Sequence, residues 1–159
     1  MAARFPVPIQ DDVRDLLVDL LGRGASVDKI TGDPLLDPAL IAEFVTDEDE
    51  VGALCTVDAE FALRCGAALA MVPTTVVEEA IKKGELPPEL IENVQEVANI
   101  LAQLLNGPRT PHLRLKALHQ TQDEVPGTVT AVLDAPEFRR DFAIAIEGYG
   151  SGRLSLLAS

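Results

Sequence analysis

The sequence predicts an α+β domain with two or three long helices packed on one face of a largely antiparallel sheet. Apolar residues recur at helical spacing over 9–21, 59–72 and 91–106. Short apolar or alternating stretches, bounded by turn residues, occupy 26–30, 41–46, 51–57, 112–120, 128–133, 141–148 and 152–158. Helices interspersed among runs of strands, without strict β-α alternation, place the chain in the α+β class. Its 159 residues suit one domain, 1–159, with a core over about 9–158.

The first helix is predicted from Ile9, Val13, Leu16, Leu17, Leu20 and Leu21 on one face. Asp11 and Asp12 sit in its first turn, where the helix dipole favours acids, and Gly22 follows as a C-cap. Strands at 26–30, 41–46 and 51–57 come next, the last two joined by a turn at 47-DEDE-50. That acidic run lacks the central Gly and distant Glu of a calcium loop. Phe61, Cys65, Ala68, Leu69 and Val72 align along a buried helix over 59–72. A short helix over about 76–83 has Thr75 and Glu78 at capping-box spacing and ends at Gly84. Pro87 and Pro88 open the next helix, which 106-NGP-108 closes. Strands at 112–120, 128–133, 141–148 and 152–158 complete the chain, with His119 on the face of Leu113 and Leu115. The glycines of 148-GYGSG-152 lie between two strands, with no helix N-terminus following, so a hairpin accounts for them better than a phosphate cradle.

Composition narrows the function. A hydrophobic share of 47% excludes a disordered chain, and no apolar run approaches the roughly 20 residues of a membrane span. The N-terminal MAARFPVPIQDD has no apolar signal core, from which a cytoplasmic location is expected. Thirteen Lys and Arg against twenty-six Asp and Glu give a net charge of −13, which repels phosphate backbones and makes nucleic acid an unsuitable partner. Such a surface tolerates a partner with an exposed basic site. Two cysteines, no CxxC and two histidines argue against a disulfide scaffold or a zinc site. Whether the chain forms a homodimer is left open.

The helix 91-IENVQEVANILAQLLN-106 carries the most pointed pattern. With Glu92 at zero and about 100° per residue, Glu96 falls near +40°, Asn99 near −20°, Gln103 near +20° and Asn106 near −40°. Val94, Val97, Leu101, Leu104 and Leu105 lie opposite. No Lys or Arg occurs from Glu85 to Pro108, so the stripe lacks the Glu–Lys pairs of an ordinary solvated helix face. Asn93 and Asn99 also sit in mid-helix, where Asn costs several tenths of a kcal/mol relative to Ala.

The run 92-ENVQEVANILAQLLNG-107 resembles the signature helix of the CheC/CheX/FliY chemotaxis phosphatases. There an acidic or Ser residue, three spacers, Glu, two spacers and Asn form the active surface, a spacing that Glu92, Glu96 and Asn99 match. The surroundings resemble the single-motif CheX type. An acidic turn enters a strand with an early Gly (Val51-Gly52-Ala53-Leu54), an Ala-rich helix and the motif helix follow, and 142-FAIAIEGYGSGRLSLL-157 closes the chain. The resemblance covers roughly residues 9–158. Gln103 departs from it, standing where family members commonly carry Gly, and the segment before the motif is longer than in the family.

The resemblance implies a CheC/CheX-like fold and a phosphatase acting on the aspartyl phosphate of a response-regulator receiver domain. Asn99 would orient the attacking water. Glu96 would accept a hydrogen bond from the receiver's active-site lysine. Glu92 and Gln103 would make partner contacts at the rim. No cofactor or metal of its own is implied, since the Mg²⁺ belongs to the receiver. Two other readings stand beside it: a noncatalytic module of the same fold that binds a receiver or another signalling protein, and an unrelated α+β interaction domain.

Overall fold

Six strands form one sheet in the order β1-β5-β6-β3-β2-β4, every neighbouring pair antiparallel, in the computed structural model, which describes residues 5–159. The elements are α1 (Gln10–Leu21), β1 (Ala25–Ile30), β2 (Leu40–Val45), β3 (Val51–Val57), α2 (Ala59–Leu69), α3 (Thr74–Lys83), α4 (Pro88–Leu101), β4 (Arg114–Gln120), α5 (Gly127–Asp134), β5 (Phe138–Ile146) and β6 (Gly150–Ala158). No helix among the described residues is long and apolar enough to cross a membrane.

The three long helices share one core, because each presents an apolar stripe to the same side of the sheet. Val13, Leu17 and Leu21 of α1, Phe61, Cys65 and Ala68 of α2, and Val94, Val97 and Leu101 of α4 pack on Ala42, Phe44, Cys55, Ile144 and Leu156. Cys55 and Cys65 are both buried free thiols within that core. Against the outer side of α2, Val77 and Ala80 of α3 join Leu63, Ala67 and Leu90 in a second cluster.

Several local expectations meet the coordinates directly. Gly22 caps α1 in the left-handed region at φ 66°. The acidic turn joins β2 to β3, with Asp49 at φ 64°. The last two strands form a hairpin whose Gly148 and Gly150, at φ 82° and 107°, take a conformation that side chains disfavour.

Three expectations are corrected. The stretch 128–133 is helix, not strand. Strands β4 and β5 are separated in the sheet by β2, β3 and β6, so the connection must cross the far face. There α5 sets Val129, Val132 and Leu133, at i, i+3 and i+4, over Ile41, Leu54 and Leu157. Burial of that second apolar row outweighs the strand preference of the β-branched residues.

The capping box proposed for Thr75 and Glu78 is not formed. Pro73 occupies the N-cap of α3 without a side-chain cap bond, and the helix has already begun at Thr74.

His119 does not share a face with Leu115. The pairing of β2 with β4 shifts between Glu43 and Phe44, whose partners are Ala117 and Leu115, leaving Lys116 unpaired in a bulge. One extra residue reverses the alternation. Leu115 and Leu118 therefore both join the helix-side core, while His119 turns to the other face, with Nε2 2.8 Å from the buried Glu43 Oε1.

The same far face holds a polar row. Thr56, Ser155 and Asp141 are register partners across β3, β6 and β5. Asp141 accepts hydrogen bonds from the Ser155 hydroxyl, the Arg139 guanidinium and the Leu35 backbone N–H, and Arg139 donates to the Leu35 carbonyl at 2.8 Å. The segment between β1 and β2 is tied to the sheet by these bonds.

Candidate functional site

Pro88 starts α4 in its first turn, where no backbone donor is lost, and Glu89 follows in the same turn. The buried face of the helix is Leu90, Val94, Val97, Ala98 and Leu101. Two side-chain amides then set its position. Near the start, α4 meets α2 so closely that a Cβ on Gly66 would lie 2.5 Å from the Leu90 carbonyl oxygen. Across this approach Asn93 Nδ2 donates to the Gly66 carbonyl at 2.8 Å. Beyond Leu101 the helix tightens into a 3₁₀ turn, Ala102–Leu105, and Asn106 clamps its end. The Asn106 amide donates to Ala102 O at 2.9 Å and Leu113 O at 3.0 Å, while its oxygen accepts from Leu113 N–H at 2.7 Å.

Asn93 and Asn106 are thus internal fasteners. The helix-propensity cost of Asn93 is offset by its bond to the Gly66 carbonyl, and Asn106, extended beyond the 3₁₀ turn, bears no such cost. The sequence pattern placed Asn106 at the end of the outward stripe; in the fold it is half-buried and committed to this chain's own main chain.

The rest of the stripe is different. Glu92, Glu96, Asn99 and Gln103 are all exposed. Among the described residues, none of the four makes a side-chain hydrogen bond or ion pair. Asn99 is therefore the mid-helix asparagine with no internal use. It stands one turn from Glu96, at the roughly 5–6 Å Cβ spacing of i, i+3 neighbours. A carboxylate offers only acceptors, whereas an amide one turn away offers both a donor pair and an acceptor. The two lie on a convex helix surface rather than in a cavity, so a reaction there needs a second macromolecule to supply the remaining groups. Among the described residues no group of three or more His, Cys, Asp or Glu is placed to hold a metal ion.

Gln103 also borders something that sequence reasoning did not find. Between α1 and α4 runs an open groove of about 480 Å³, lined by Asp12, Asp15, Leu16, Asp19 and Leu20 on one side and Ile100, Gln103 and Leu104 on the other. Helical periodicity assigns Leu16 and Leu20 to the core face of α1, and nothing in the order of the residues tells which helix lies beside them.

No protein-family model matches the chain, and no curated protein matches it in sequence. Solved structures do match in fold. CheX in the CheX-CheY-BeF3-Mg²⁺ complex from Borrelia burgdorferi superposes with a TM-score of 0.57 at 13% identity, covering 92% of this chain and 92% of that one. FliM in its complex with SpeE from H. pylori gives 0.61 at 10% identity, over 94% of this chain and 80% of that chain. FliM in the FliG-FliM complex from H. pylori gives 0.53 at 12% identity, over 94% and 85%. Taken with the six-stranded antiparallel sheet and its helix layer, these likenesses give the chain the fold shared by CheX and the FliM middle domain.

Proposed function

We propose that this protein is a CheX-type phosphatase that hydrolyses the aspartyl phosphate of a response-regulator receiver domain. One observation carries the reading: Glu96 and Asn99 lie exposed on adjacent turns of α4, with no partner among the described residues, whereas Asn93 and Asn106 are engaged within the chain. The likeness to CheX, crystallised with CheY, supports the choice of partner class.

An acyl phosphate is already a reactive anhydride, and the receiver brings its own Mg²⁺ and lysine. What the phosphatase adds is a water held in line with phosphorus. The Asn99 amide oxygen accepts from that water, while its NH₂ points toward a phosphoryl oxygen; a carboxylate at this place would repel the phosphoryl group. Glu96 accepts a charge-assisted bond from the receiver's lysine and fixes the docking register. Glu92 and Gln103 contact the partner on either side. A Lys or Arg on this stripe would oppose the receiver's cations, a like-charge contact costing several kcal/mol.

The test follows phosphate loss from phosphorylated receivers in the presence of wild type, Asn99→Ala and Glu96→Ala. Turnover lost in the first and docking weakened in the second is the expected result. Equal rates for all three proteins end the catalytic reading.

A noncatalytic receiver-binding module is the second reading. Gln103, exposed one turn beyond Asn99 where a small residue would leave room for a partner's active site, favours it, as does the presence of the same fold in FliM. Retained receiver binding without any effect of Asn99→Ala would establish that reading.

A further inference from the structure

We infer that the α1–α4 groove is a docking surface for a cationic amphipathic helix of a partner protein. One wall is α1 from Asp12 to Leu20; the other is the end of α4 at Ile100 and the 3₁₀ turn that follows, with Gln103 and Leu104. At 1.5 Å per residue the α1 wall runs about 12 Å, or some two turns, along which a helix can lie. Its floor is apolar, with Leu16 and Leu20 at i, i+4 on one side and Ile100 and Leu104 at i, i+4 on the other. All four are only partly buried. Two such ridges with a trough between them are what an incoming helix fills with side chains at i, i+3 or i+4, and i+7.

Charge selects the occupant. Asp12, Asp15 and Asp19 line the α1 rim, and Gln103 continues the cation-free stripe of α4 on the other. No Lys or Arg lines the groove. The nearest cation in sequence, Arg14, is bound to Asp15 at 3.2 Å and Asp11 at 3.4 Å. Asp12 is partly committed, accepting from the Ile9 N–H at 3.2 Å, whereas Asp19 has no side-chain partner among the described residues. An apolar trough with an acidic rim is complementary to a helix with an apolar stripe flanked by Lys and Arg. A second copy of this chain suits it poorly, since each copy carries −13.

This inference goes beyond the water-positioning reading and does not rest on it, because the groove would hold such a helix whether or not Asn99 turns over a phosphate. Gln103 belongs to both surfaces, so a partner seated in the groove extends directly onto the stripe.

The experiment measures binding of a labelled 14-residue helical Leu/Lys peptide, apolar at i, i+3 or i+4, and i+7, to the full chain at physiological salt. A Leu/Glu peptide of the same spacing serves as comparison. The peptide carries no phosphate, so its binding is read separately from any phosphatase activity. Losing two rim charges in D15N/D19N weakens binding about three- to fivefold, at several tenths of a kcal/mol per exposed pair. Ile100→Gln, at a half-exposed position that leaves the fold intact by circular dichroism, weakens it by about the same factor. The charge-matched D37N/E124Q, at exposed sites outside the groove, stays within about twofold. Amide shifts on titration concentrate on α1 and α4.

Equal losses in D15N/D19N and D37N/E124Q overturn the proposal in favour of generic attraction to an acidic surface. Equal binding of the Leu/Glu peptide also overturns it. Concentration-dependent self-association that Ile100→Gln abolishes overturns it in favour of a second copy.

Discussion

Asn93 on α4 donates its amide to the Gly66 carbonyl of α2 at 2.8 Å, at the point where the two helices come closest. The bond and the missing side chain act together: Gly66 lets the backbones meet, and Asn93 fixes how α4 is turned about its own axis. Since Glu92, Glu96, Asn99 and Gln103 lie about 60–120° around the helix from Asn93, this contact decides where they point.

Asn93→Ala removes the bond to the Gly66 carbonyl and costs about 0.5–1.5 kcal/mol in urea unfolding. Gly66→Ala is more disruptive, because its Cβ would meet backbone that cannot rotate away; a cost of about 1–3 kcal/mol is expected. Unchanged midpoints in both variants would show that α4 is held by its apolar face alone.

Asn99→Ala has opposite effects on stability and function. The exposed Asn has no partner to lose among the described residues, so Ala gains several tenths of a kcal/mol in helix propensity. Under the proposed mechanism, receiver dephosphorylation falls by about 100-fold as the water loses its orientation. Glu96→Ala chiefly raises KM, by about tenfold or more, the loss shrinking at saturating protein. Parallel measurement of unfolding midpoints and rates separates these effects from a damaged fold.

Asp141 makes the fold acid-sensitive. Burial alone would raise its pKa, but hydrogen bonds from Arg139, Ser155 and the Leu35 N–H outweigh that and hold the carboxyl below its ordinary value of 3.8. A folded-state value below the unfolded one means the stabilisation is fully present above the ordinary Asp range and is lost as pH falls through the folded value. Asp141→Asn therefore costs about 1–3 kcal/mol near neutrality, and its deficit relative to wild type shrinks below about pH 4. A deficit independent of pH would mean that the network is held by shape rather than by charge.

Position 131 tests the helix that crosses the far face. Ala131 is exposed in α5. Ala131→Thr costs about 0.5 kcal/mol in a helix, whereas a strand would be stabilised by the same change. Val129→Ala, removing the buried contact with Ile41, Leu54 and Leu157, costs about 2 kcal/mol. Thermal midpoints of the two variants read both signs.

Local chemistry alone was enough to place α1, β1, the β2–β3 hairpin, α2, α4 and the closing hairpin. Their signals are short-range: apolar period, a glycine able to take positive φ, a proline in a first turn. The outward row of Glu92, Glu96, Asn99 and Gln103 was equally legible, because a helix buried on one face leaves the opposite residues in solvent. Where local propensity and tertiary demand disagreed, tertiary structure decided. Residues 128–133 have the β-branched content of a strand, but the chain must pass from β4 at one edge to β5 near the other, with a bare apolar row to cover on the way. The face of His119 turned on a single bulged residue, Lys116, whose presence depends on a partner strand some seventy positions away. The roles of Asn93 and Asn106, and the α1–α4 groove, depend likewise on contacts distant in sequence. A side chain's type and period say which way it faces; only the folded chain says what is there to meet it.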